Sequence, residues 1–338
     1  MKYTISYIIA WMIFTSNIYA QNVELLKTLS FSNTPYRISF SPNGKYVVVS
    51  DASDHLKIYS VPDLKIIKEL NVSGVFYACF SKDSDFLASL TTNRTVRIHS
   101  LPAFTLIKTF TFPSTIKLQI EFSDNGKLFE VYSFMMEKLY TLPEYDLIKT
   151  TVLGLFTDPS ISDYSPNNIY FAKYFHRAEK VSIYSLSKNK YIYRLDFQSK
   201  YVREVFFSPG GKYLVITSER EKTQEELQSL SESRTLETRT ASIYSLPDFT
   251  LFKTIKNVFG RDNSAIFSPN GTFFACISDS DHMIRIYSTQ DFSLIKALTD
   301  HSDFIMSIAF SGDSRYVASG GQDKKLNLYQ IILIRIGG

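Results

Sequence analysis

Only two cysteines and one tryptophan occur in the 338 residues, and little else in the chain is suited to chemistry. Cys79 and Cys276 lie far apart, each within an apolar run ("FYACF", "FFACIS"), so they read as small buried hydrophobes and not as a disulfide framework. The five histidines (His55, His99, His176, His282 and His301) show neither an HExxH pattern nor paired ligand spacing. Gly-x-Ser-x-Gly, Walker and dinucleotide-binding motifs are missing, so no cofactor is expected. No dense Lys/Arg cluster appears, and 37 basic residues against 33 acidic ones leave a net charge of only +4. That balance excludes a nucleic-acid or anionic-membrane ligand as the expectation. What remains is a strand-forming composition: 44% hydrophobic, with 22 Tyr and 27 Phe.

The amino terminus differs from the rest. Lys2 precedes an apolar stretch, then a polar one, and Ala20 stands before Gln21. This layout reads as a signal peptide over residues 1–20, which implies export to a periplasmic or extracellular compartment. The alternative is an uncleaved membrane anchor, although the apolar run is shorter than the ~20 residues a span needs. After cleavage no membrane span is expected.

Residues 21–338 repeat. An aromatic-Ser pair recurs seven times, at Phe40, Phe80, Phe122, Tyr164, Phe207, Phe267 and Phe310, at intervals of 40, 42, 42, 43, 60 and 43. A second marker of the "IYS" type carries Tyr59, His99, Tyr140, Tyr184, Tyr244, Tyr287 and Tyr329. A third, of the "LIK" type, ends at Lys68, Lys108, Lys149, Lys253 and Lys296. Turn residues separate four short strand-like runs per unit. "SPNG" predicts a hairpin in which Asn and Gly both take positive φ. A period of ~40–45 residues with four strands predicts an all-β, single seven-bladed β-propeller of four-stranded antiparallel blades.

At the last unit, "HSDFIMSIAFSGDSRYVASGGQDKKLNLYQ", the sequence resembles the WD-repeat family. The resemblance implies a structural hydrogen-bond network of His301, Ser319 and Asp323, with Tyr329 in place of the family's tryptophan. It also implies a scaffold for protein or peptide partners. The closing Trp-Asp pair is absent from every unit, and most units lack the network histidine.

The ends predict closure. Val23–Leu29 reads as an outermost strand without a blade, and the seventh unit has no room for one, so the amino-terminal strand should complete it. "IILIRI" (Ile331–Ile336) either extends the third strand of that unit or lies on a neighbouring surface. A monomeric ring is expected. The interval of 60 reflects a loop insertion, Ser218–Thr240, in blade five, where Thr223 and Glu226 form a capping box for a short helix.

Candidate partner contacts lie four residues before the aromatic marker, near the mouth: Tyr36, Phe76, Leu118, Arg203 and Met306, with Phe304 as a further exposed aromatic. The competing reading is a metal-dependent, lactonase-like hydrolase in which Glu121, Asp163 and Glu204, on three successive innermost strands, hold a hard cation. "SDASDH" and "SDSDH" read as turn chemistry, not as ligands.

Overall fold

Each aromatic-Ser pair stands where the chain turns from the innermost strand of a blade into the second. In a computed structural model, which describes residues 18–51, 55–72, 74–113, 118–123, 127–132, 136–152, 162–175, 180–196, 201–221, 237–258, 264–278 and 281–335, all seven turns use the serine alike. Its hydroxyl oxygen accepts the backbone N–H five residues on, at 2.9 or 3.0 Å, from Ser41–Tyr46 through Ser311–Tyr316. The same hydroxyl donates to the side chain of Asn43, Asp83, Asn167, Asn270 or Asp313. The serine is an internal clamp: a buried hydroxyl must be bonded, and here it satisfies a turn amide. The hairpin differs from the expected one. Only the fourth residue has positive φ (Gly44, Ser84, Asn168, Gly211, Gly271 and Ser314, between 53° and 71°), while Asn43 serves through its side chain. This is a turn followed by a single left-handed residue.

Seven four-stranded antiparallel sheets result. Blade one comprises Pro35–Phe40, Tyr46–Asp51, His55–Ser60 and Ile66–Asn71, from the axis outward. Blades two to six repeat this order, beginning at Val75, Gln119, Ser162, Tyr201 and Ala265. In blade seven Ile305–Phe310, Tyr316–Gly321 and Lys325–Arg335 are completed by Ile18–Ser30 from the other end of the chain. The Thr28 hydroxyl donates to the side-chain oxygen of Asn327 at 2.7 Å within that pair. The amino-terminal strand is longer than Val23–Leu29, and Ile331–Arg335 extends the third strand.

The turn between third and outermost strands carries a second device. Leu64, Phe104, Tyr145, Phe249 and Phe292 adopt positive φ (49° to 60°) although none is glycine. A left-handed bulky residue costs about 1–2 kcal/mol. Burial of these side chains, each at 4% exposure or less, offsets it at about 1.5–3 kcal/mol apiece. Each lies on the preceding blade: Phe104 meets the ring of Tyr46 edge-on at 5.5 Å, Tyr145 meets Phe86, Phe249 meets Tyr170, and Phe292 meets Tyr213.

The "LIK" marker is explained by bulges. Pairing between third and outermost strands slips by one residue in every blade, leaving Leu26, Ile67, Ile107, Ile148, Ile192, Phe252 and Ile295 as the extra residue. Bulges twist an edge and discourage it from pairing with other chains. In two blades the lysine that follows joins blades: Lys27 donates to the Asp63 carbonyl oxygen at 2.6 Å, and Lys296 reaches the Asn22 side chain at 3.4 Å.

The junctions are unequal. Among the described residues, shared apolar cores join blades one–two, two–three, four–five, five–six, six–seven and seven–one. Among the described residues no such core spans three–four. On those facing surfaces the second strands carry half-buried Glu130, where other blades place Val48 or Ala88, and half-buried Lys173, where blades one and five place Val49 and Ile216.

Candidate functional site: the mouth of the ring

Strand alternation puts the entries to the innermost strands, and the connections from second to third strands, on one face. There the innermost strands are bulged. In blades one, two, five and seven the pairing with the second strand slips at Tyr36, Phe76, Arg203 and Met306. These are four of the five positions singled out by spacing, and the slip re-aims each side chain relative to its strand.

The outcomes differ by residue. Tyr36 is 42% exposed and Phe76 half-buried. Arg203 is exposed and anchored: its guanidinium donates to Glu219 at 2.8 Å and lies 5.9 Å from the centre of the Tyr201 ring. Glu219 is buried, and Arg239 approaches it from the other side at 2.9 Å, so one carboxylate holds two cations at the base of the blade-five hairpin. Phe304 is 39% exposed and stands edge-on to His282 of blade six at 4.8 Å. Neighbouring blades are tied beneath this layer by the bond from Ile38 N–H to the Ser307 hydroxyl, 3.2 Å, and by Arg37 lying over Tyr77.

Two of the expected contacts are corrected. Leu118 is 2% exposed and belongs to the core between blades two and three. The innermost strand of blade three begins one residue later, at Gln119, so no bulge turns Leu118 outward. Met306 is bulged but 8% exposed, with the Gln322 amide donating to its sulfur at 3.6 Å.

The ends of the Ser218–Thr240 insertion are strand, Tyr213–Glu221 paired with Glu237–Ser245 as far as Glu221 opposite Glu237. The Thr223–Glu226 capping box lies outside the described residues.

The carboxylate trio is not assembled. Both Asp163 oxygens accept backbone N–H groups, Tyr164 at 2.8 Å and Phe207 of the next blade at 2.8 Å, which makes Asp163 an inter-blade clamp. Burial raises its pKa and those two bonds oppose the rise. Glu204 accepts from Thr217 at 3.4 Å, and Glu121 is exposed. Among the described residues no three His, Cys, Asp or Glu side chains meet in a way that could hold a metal ion.

The network implied for the last blade is present. His301 Nδ1 is 3.0 Å from both Asp323 oxygens, and its Nε2 is 2.8 Å from the Ser319 hydroxyl. Burial holds the His301 pKa below the usual histidine value, against the pull of Asp323. Tyr329 is fully buried, and burial pushes its hydroxyl pKa up. A Ser–His–Asp chain invites a catalytic reading, but Ser319 is fully buried, so it braces the loop.

The family model described as WD domain, G-beta repeat matches residues 292–330, the stretch that holds this network. Actin-interacting protein 1 of Drosophila melanogaster is 24% identical over 172 residues, half of this chain and 26% of that protein. The match thus spans about a quarter of that relative's length. With the seven-bladed ring, these likenesses support the resemblance to the WD-repeat family, whose propellers typically serve as protein-interaction scaffolds. Among the described residues no helix is long and apolar enough to cross a membrane.

Proposed function

We propose that the protein is a non-catalytic, exported scaffold that holds a protein or peptide partner on the mouth of the ring. The observation that carries this reading is the set of innermost-strand bulges, which leave Tyr36 and Arg203 exposed on the face that also presents Phe304. Tyrosine and arginine are the residues on which interfaces most often depend. Rigid blades hold these side chains in place, so little ordering entropy is lost on binding. The name of the Drosophila relative records an interaction with a protein, which supports a protein partner as the class without identifying it.

Export is part of the proposal. Gln21, the first residue after the expected cut, is itself a bulge between paired Ala20 and Asn22. Removing residues 1–20 therefore leaves Asn22–Ser30 as an intact outermost strand for blade seven.

The test is site-specific photo-crosslinking in the host, with the crosslinker at Tyr36, at Phe304, or at Leu106 on the outer rim. Adducts are expected at the two mouth positions and not at Leu106. Equal labelling at the rim would defeat the proposal. Tyr36→Ala and Phe304→Ala should each weaken the captured complex about tenfold or more while changing stability by less than about 0.5 kcal/mol.

A further inference from the structure

Blade seven is the only blade whose third and outermost strands are not joined by a turn, and they run on past the sheet. The second strand pairs with the third as far as Tyr316 opposite Gln330. One residue later Ile331 is still buried in the core, its N–H bonded to the Arg315 carbonyl at 2.8 Å. Beyond it, among the described residues, Ile332, Leu333, Ile334 and Arg335 have a strand on one side only. Their partners there are Asn22, Ala20, Tyr19 and Ile18.

Three of those four partners lie upstream of the expected cut. Cleavage between Ala20 and Gln21 would leave Leu333, Ile334 and Arg335 with no strand on either side. The result is a short segment, Leu333-Ile334-Arg335, with both backbone edges open, the arrangement most prone to recruit another strand.

Resting on the export reading above, we propose that in the processed protein Ile332–Arg335 pairs antiparallel with the same segment of a second copy. Two points favour a second copy over an unrelated strand. In a register centred between Leu333 and Ile334, Leu333 faces Ile334 of the partner and Arg335 faces Ile332, so aliphatic residues meet and no like charges are opposed. The contact is also isologous and closes on itself, giving a dimer and not a filament. The segment already accepts an antiparallel strand in the uncut chain, so pairing needs no new backbone conformation. The mouth stays open, because the ribbon leaves the sheet on the opposite face, beside the Arg315 turn. The monomer expected from sequence would then be the unprocessed form.

The experiment compares a chain begun at Gln21 with one begun at Ile18, by light scattering after size exclusion from 1 to 100 µM. The Gln21 chain should run at twice the monomer mass, and the Ile18 chain, whose strand remains covered, at the monomer mass. Ile334→Lys in the Gln21 chain should restore the monomer with an unchanged melting temperature. A monomeric Gln21 chain at every concentration would overturn the proposal. So would a dimer of both chains, or one that survives Ile334→Lys, since another surface would then be responsible. Amino-terminal sequencing of protein from its own host separates the two ideas: an uncut terminus defeats the export reading, whereas the comparison of the two chains still decides whether the freed strand pairs.

Discussion

The two faces of the ring were built under different constraints. On the face of the tight turns the same devices recur blade after blade: the serine clamp, the left-handed residue after it, and the left-handed anchor that reaches the preceding blade. The turns also touch one another, as when Asn43 N–H donates to Ser84 at 3.0 Å and Asn270 N–H to Ser314 at 3.1 Å. On the mouth face the described residues vary from blade to blade. Four innermost strands are bulged, and blade five alone carries a long hairpin. One face is spent on holding the ring together, which leaves the other free to differ at each blade.

That contrast is open to attack in order of expected size. The largest effect should come from Phe104→Ala, which empties an anchor buried at 4% exposure and should cost about 3–5 kcal/mol in urea unfolding. A cost no larger than that of Phe304→Ala would erase the distinction between the faces.

A second prediction concerns pH. His99 occupies the place of the marker tyrosine in blade two, is 4% exposed, and has a buried Nδ1 without a hydrogen-bond partner. Burial, helped by Arg97, lowers its pKa to about 4. The unfolded chain therefore takes up a proton near pH 6.5 that the folded one refuses until about pH 4. Stability contributed by this site is full above pH 6.5 and falls as pH drops through that window, by at most about 3 kcal/mol. His99→Tyr should abolish the slope, and unfolding midpoints measured at pH 7 and pH 4.5 for both proteins would show it. An unchanged slope in the variant would place the acid sensitivity elsewhere.

The smallest effect sharpens the role of the clamp. Ser268 is fully buried and its hydroxyl holds the Phe273 amide at 2.9 Å. Ser268→Ala should cost about 1–3 kcal/mol by stranding that amide, and amide exchange at Phe273 should quicken. Exchange at the wild-type rate would mean that the turn needs no clamp.

Sequence spacing made the ring legible because each marker is a local rule: a serine five residues before the amide it bonds, or a lysine that closes a blade. Closure by the amino-terminal strand was legible for the same reason, as a marker with no blade of its own. The left-handed anchors were not, since Phe104 and Tyr145 bear no glycine signature and their φ is set by the neighbouring blade. Spacing found Tyr36 and Arg203 at the mouth. It misplaced Leu118 and Met306 because exposure there depends on where pairing slips and on what covers the bulge, here Gln322 over Met306. Asp163 failed as a ligand for a similar reason: its oxygens are committed to two backbone amides, one of its own blade and one of the next.

The uneven junctions bear on how the ring breathes. Among the described residues six junctions share an apolar core, whereas between blades three and four the second strands place half-buried Glu130 and Lys173. Free energies of partial opening should follow that difference, with the cheapest excursion a horseshoe hinged open between blades three and four while blade seven, bonded from both ends of the chain, stays shut. A closed ring with one soft joint can change its diameter without unfolding any blade.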